Sequence, residues 1–221
     1  MFAEHDLQAG AVRIRYREAG HGPPLVHLAG LGNPGLTRGH ELLAERSRVI
    51  SIDPSGLGQS PTGEDPRLAQ DLARTVAEAL SRLGLERFSV LGTSFGGTVA
   101  LWLALQFPER VEALVLESPT AIGPESSTAS SGPGEDPELE RQLGGLPVPV
   151  LVLLGTADSI VPPEVGRIYR ATLPSCHFVL VYAAAHAISA DRPEAFAELV
   201  GDFLERREQF IVTRTSGLVH P

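Results

Sequence analysis

The chain has one cysteine, Cys176, in 221 residues, so it can form no internal disulfide, and no grouping of cysteine and histidine has the spacing of a zinc site. It has no basic run or stripe either. Its 18 Lys and Arg stand against 27 Asp and Glu, a net charge of -9, and the arginines are interleaved with acids, which argues against a nucleic-acid partner. No apolar stretch is long enough to span a bilayer, and residues 1–6 carry neither the basic nor the apolar part of a signal peptide. The expectation is a cytoplasmic protein with no membrane partner and no metal. No internal repeat is visible.

What is present points to one domain. With 43% hydrophobic residues, a chain of this length supplies a sizeable core but too little material for two domains of usual size. Short β-rich runs alternate with helical ones, the pattern of a mostly parallel sheet covered by helices on both faces, so the expected fold class is α/β. Residues 12–17 alternate apolar with charged, as an edge or antiparallel strand does. Residues 25–28, 49–53, 88–91, 113–116, 148–154 and 178–182 read as buried strands. Helical spacing covers 66–83, ended by Gly84, the nearly all-apolar 99–107 with Trp102 as a core residue, 163–172, and 191–207, where Asp191 is placed to cap an Arg-Pro-Glu start. The domain is set at 1–207, with 208–221 as an extended tail.

Three motifs carry chemistry. Val90-Leu-Gly-Thr-Ser-Phe-Gly-Gly-Thr98 holds Ser94 inside Gly-x-Ser-x-Gly, after an apolar strand and before an apolar helix, which is the nucleophile elbow. So tight a turn strains the serine backbone, and at Gly92 and Gly96 a side chain would collide with the neighbouring helix or strand. A glycine-rich turn carrying a serine also arises from packing alone, so the order of the other candidates matters. Asp158 lies just beyond the strand-like run 151–154, and His186 just beyond 179–182. Each sits where a parallel strand gives way to its loop, the place where open α/β sheets gather reactive groups. Asp158 could instead be a turn aspartate ahead of Pro162, and Glu117, ending the preceding strand, is a rival orienting acid. His186 could be a packed loop histidine, but His220 is too near the terminus to replace it. Asp53 reads as a loop-fixing side chain, and His177 as a strand-flanking one.

Residues 10–207 resemble the α/β-hydrolase superfamily, in particular the branch of small esterases and meta-cleavage-product hydrolases. The resemblance is carried by Leu25-Val-His-Leu-Ala-Gly30-Leu-Gly32, Ile52-Asp53-Pro-Ser-Gly56-Leu-Gly58-Gln-Ser60, the elbow, the 155–162 loop, and Ala185-His186 followed by Arg192-Pro193-Glu194. It implies Ser94 as nucleophile, His186 as base and Asp158 as orienting acid, with Glu117 the alternative because some members carry the acid there. It also implies an oxyanion hole from the backbone N–H groups of Phe95 and Leu31. Ala29 occupies a place where the family commonly has a histidine, and His27 is a candidate to replace its support. Ile160, Val161 and Ile188 are pocket candidates by loop position.

Such proteins usually insert a helical cap between the 113–116 and 148–154 strands. Here the insertion is a vestigial 118–147, Ser/Gly/Pro-rich over 123–137, and only 138–143 could form a short helix. An open site favouring exposed, bulky or polymeric substrates follows. The β-prone residues 209–221 are expected to pack across the chain's own body or a second subunit, a route to a homodimer. The expected activity is hydrolysis of a small-molecule carboxylic ester without cofactor. Carbon–carbon hydrolysis, perhydrolysis, a cofactor-free lyase reaction, or ligand binding and signalling with little turnover are the alternatives.

Overall fold

Eight strands, in the order β1-β2-β4-β3-β5-β6-β7-β8, form one sheet in the computed structural model, which describes residues 1–9, 12–30, 35–53, 66–123 and 136–211. The strands β3 (Pro24–Leu28), β4 (Arg48–Ile52), β5 (Phe88–Thr93), β6 (Val111–Glu117), β7 (Val150–Gly155) and β8 (Cys176–Val181) run parallel. β5 and β7 are buried throughout, because a parallel strand covered on both faces has no water-facing side to spend on polar residues. The antiparallel strands β1 (Ala3–Ala9) and β2 (Val12–Ala19) extend one edge.

Side chains of successive strand residues divide between two cores. Val26, Ile50, Val90, Leu114 and Val152 meet α2 (Pro66–Arg82), α3 (Phe95–Gln106) and α5 (Pro163–Thr172) on one face. Leu25, Val49, Leu91, Val115 and Leu151 meet α1 (Arg38–Leu43), α6 (Ile188–Asp191) and α7 (Pro193–Arg206) on the other. The expected strands and long helices are thus present within a few residues of their expected ends. β1 and α1 were not expected. β1 has no apolar alternation to betray it, and is held by its ladder to β2, by Leu7 against the core, and by exposed cross-strand pairs such as Arg13 with Asp6 at 2.8 Å; the latter contribute little each.

The last helix corrects one expectation. Asp191 ends α6 rather than capping α7, which starts at Pro193 after Arg192. Proline keeps the preceding residue out of helical conformation, and Arg192 sits at φ -135°, ψ 61°. The Asp191 carboxylate instead accepts the Ala185 N–H at 2.8 Å, inside the His186 loop. Core packing runs on to Phe210, whose ring lies edge-on to Phe203 and His177; the rest of the β-prone tail, from 212, lies outside the described residues. The Asp53 loop expectation likewise falls on 54–60, outside them.

Between β6 and β7, the described residues hold one short helix, α4 (Pro137–Gln142), and a single 3-10 turn (Leu143–Gly145). α4 is fastened to the body, with Leu139 and Leu143 buried in the core. Asp136 caps it by accepting the Glu138 and Leu139 N–H groups, and its other oxygen accepts the Trp102 indole N–H at 2.7 Å. Trp102 is the chain's single tryptophan and is buried in α3, as expected for a core residue. Asp136→Asn would turn a donor toward that indole N–H. A loss of about 2 kcal/mol in urea unfolding is expected, with a change in native Trp102 fluorescence; unchanged values for both would mean that the carboxylate does not hold α4.

Candidate active site

Ser94 stands at the junction of β5 and α3 with φ 53° and ψ -121°, a conformation that L side chains rarely adopt. The surroundings over-determine it. Its N–H donates to the Glu117 carbonyl at 2.9 Å, and its own carbonyl accepts from Gly97 N–H at 2.9 Å. A Cβ on Gly96 would lie 2.0 Å from the Leu28 carbonyl oxygen, and one on Gly92 would lie 2.6 Å from the Gly96 oxygen and Gly97 Cα. Only glycine lets α3 start this close to β3 and β5. The chain leaving β3 also runs against the elbow, since a Cβ on Gly30 would come within 2.9 Å of Ser94 Cβ. Phe95 opens α3, where a first-turn N–H has no intrahelical acceptor. Leu31 lies outside the described residues.

Asp158 and His186 are brought together by the loops that leave β7 and β8. Asp158 Oδ2 is 3.0 Å from His186 Nδ1, and Oδ1 accepts the N–H groups of Ile160 (2.8 Å) and Val161 (3.1 Å). Burial alone would push this carboxyl up, but the His186 hydrogen bond and the two backbone donors outweigh it and hold it below the usual carboxylate range. A carboxylate only accepts, so Nδ1 carries the proton of this bond, and in the neutral ring the lone pair is on Nε2. The two loops are joined by the Ala157 N–H to the Ala184 carbonyl at 2.9 Å and the Ala183 N–H to Thr156 Oγ1 at 3.0 Å. Among the described residues, no hydrogen bond joins the Ser94 hydroxyl to His186; such bonds are often loose until substrate arrives.

Glu117 lies elsewhere in the site. Fully buried at the end of β6, it accepts from the Thr93 hydroxyl and from the Ser189 N–H, each at 2.7 Å. Burial raises its pKa against the pull of these donors and of His186. Among the described residues, His27 meets β4, β5 and α1. Its Nδ1 is 2.9 Å from Ser51 Oγ and its Nε2 3.4 Å from Thr93 Oγ1, and its ring lies 4.1 Å from that of His40. His40, with Thr37 and Ser189, belongs to a buried polar layer that no spacing in the sequence signals. Of the pocket candidates, only Ile160 presents much surface; Val161 is buried and Ile188 is fully enclosed in the core beside α7, so Ile188 cannot line a pocket. Among the described residues, no group of three or more His, Cys, Asp or Glu could hold a metal ion, and no helix is long and apolar enough to cross a membrane.

Comparison with known proteins agrees with this architecture. The chain is 26% identical to RutD of Azorhizobium caulinodans, named for a carbamate hydrolase activity, across 90% of this chain and 98% of the relative. That alignment runs over 259 positions while taking in 90% of 221 residues, which leaves about 60 positions of the relative facing no residue here. It is also 26% identical to a 2-hydroxymuconate semialdehyde hydrolase of Pseudomonas putida, covering 90% of this chain and 93% of that one. Among solved structures, the 2-hydroxy-6-oxo-6-phenylhexa-2,4-dienoate hydrolase of Rhodococcus sp. strain RHA1 superposes with a TM-score of 0.76 at 19% identity, covering 93% of this chain and 99% of that one. The family model described as the alpha/beta hydrolase fold matches residues 23–138, more than half of the chain, and the protein therefore belongs to the α/β hydrolase family.

Proposed function

We propose that the protein is a serine hydrolase that cleaves a carboxylic ester or a related acyl bond through Ser94, His186 and Asp158. The observation that carries this reading is a strained, strand-to-helix Ser94 together with a His186–Asp158 hydrogen bond of 3.0 Å, all three in loops at the C-terminal ends of parallel strands. His186 Nε2 takes the hydroxyl proton as Ser94 attacks the carbonyl carbon, and Asp158 steadies the imidazolium. The oxyanion is held by the Phe95 N–H and by a second donor assigned to Leu31. The proton then passes to the leaving alcohol, and water attacks the acyl-enzyme with His186 again as base. None of these steps calls on a metal or cofactor. With only about 30 residues between β6 and β7 and α4 the one helix among those described, the substrates proposed are ones whose bulk stays outside the site.

A second reading draws on the relatives. They are named for hydrolysis of a carbamate and of 2-hydroxymuconate semialdehyde, and a carbamate or a carbon–carbon bond next to a ketone presents a carbonyl carbon to the same nucleophile. The test is intact-mass analysis of wild type and Ser94→Ala after treatment with an alkyl fluorophosphonate, which loses fluoride as the serine oxygen bonds to phosphorus, alongside chromogenic esters of varied acyl length, an aryl carbamate and a vinylogous diketone. Stoichiometric labelling of wild type alone, with ester turnover highest, is expected. Turnover of the diketone or carbamate alone would move the bond class to the second reading, and no labelling would remove the serine mechanism.

A further inference from the structure

Beneath Ser94 and His186 lies a carboxylate whose place the proposed chemistry does not explain. Glu117 is fully buried on β6 among apolar strand residues, with Val115 and Leu116 before it. Enclosing a carboxylate costs several kcal/mol unless its oxygens are satisfied, and an apolar side chain would serve the core as well. Its two oxygens are spent on two separate elements. Oε2 takes the hydroxyl of Thr93, the residue before Ser94, and Oε1 takes the backbone N–H of Ser189, three residues beyond His186. Its own carbonyl accepts the Ser94 N–H. The Ser189 carbonyl is in turn held by the Thr37 hydroxyl at 2.9 Å. His186 Nδ1 donates to Asp158, not to Glu117.

We propose that Glu117 is a positioning residue that ties the Ser94 elbow to the His186 loop, one carboxylate oxygen on each, and so sets the distance between hydroxyl and imidazole. The inference rests on the assignment of Ser94, His186 and Asp158 made above. Because the two loops leave different strands, β5 and β8, with β6 and β7 between them, nothing in the backbone ladder joins them directly. A misplacement of about 1 Å between reacting groups costs on the order of a hundredfold, so the tie acts on kcat and on the reactivity of Ser94 rather than on KM.

The experiment measures the rate of phosphonate labelling at Ser94, with kcat and KM, in wild type, Thr93→Val, Glu117→Ala and Glu117→Gln. Thr93→Val preserves shape in a buried strand and cuts the elbow arm together with the 3.4 Å contact to His27 Nε2, leaving the Ser189 arm in place; it is expected to slow labelling and kcat by about tenfold with KM little changed. Glu117→Ala cuts both arms and is expected to lose about a hundredfold. Glu117→Gln, whose amide still reaches both partners, is expected to recover most of that loss. Wild-type labelling rates in Thr93→Val and in folded Glu117→Ala would overturn the tie, as would a Glu117→Gln no better than Glu117→Ala. Failure of the wild type itself to label would overturn the reading of Ser94 and this inference with it.

Discussion

Asp158→Asn is expected to lower kcat by about 10,000-fold while KM and the unfolding midpoint stay near wild type. The amide oxygen can keep the Ile160 and Val161 N–H bonds that Oδ1 now accepts. The amide nitrogen, facing His186 Nδ1 in place of Oδ2, is a donor, and it forces the imidazole proton onto Nε2. That nitrogen then cannot take the Ser94 proton. Ser94→Ala and His186→Ala are expected to cost at least as much, because the three side chains act as a unit. Glu117→Gln is expected to cost no more than about tenfold, since its oxygens contact Thr93 and Ser189 rather than the imidazole. Turnover of the best chromogenic ester, with circular dichroism to establish folding, measures all four. A severe Glu117→Gln beside a mild Asp158→Asn would transfer the orienting role to Glu117.

The features legible in the sequence are those whose physics is local. β5 and β7 read as strands because burial on both faces leaves continuous apolar runs, and α3 as a buried helix because ten of its residues had to be apolar or small to fit against the sheet. Ser94 was visible because the turn that strains it demands glycine at fixed offsets. Asp158 and His186 were visible because each follows its strand at once. α1 was not legible, being too short for a helical period and buried mostly through Gly39, His40 and Leu43. Asp191 misled because a carboxylate before Arg-Pro-Glu is an ordinary cap signal, whereas the loop carrying His186 needed an acceptor for Ala185 N–H. The layer of His27, Thr37, His40, Thr93, Glu117 and Ser189 had no signature at all. Its members come from five separate places in the chain, Thr37 and His40 sharing the start of α1, and the crossover order of the sheet brings these places together.

That buried layer should make the fold acid-sensitive in a defined window. His40 is pushed down to about 4 by burial, and His27 well below its ordinary value by burial and by the neighbouring His40. Both are neutral in the folded and unfolded chain above pH 7.5, so neither changes stability there. Below the ordinary histidine value of 6.5, the unfolded chain takes up protons that the folded chain refuses, and stability falls with pH until the folded groups titrate in turn. For His40 alone the loss between pH 7.5 and pH 5 is about 2 kcal/mol, and His27 adds to it in the same direction. Glu117 works against this trend, because a carboxyl raised by burial favours the folded state as it protonates. The net expectation is a marked drop in unfolding free energy over that range, measured by urea titration at fixed ionic strength. His40→Asn keeps an acceptor for the Thr37 N–H, which donates to His40 Nδ1 at 3.1 Å, but cannot titrate. It should flatten the profile by about the His40 share. A wild-type curve that is level from pH 7.5 to pH 5 would mean that these two rings are not held neutral in the folded protein.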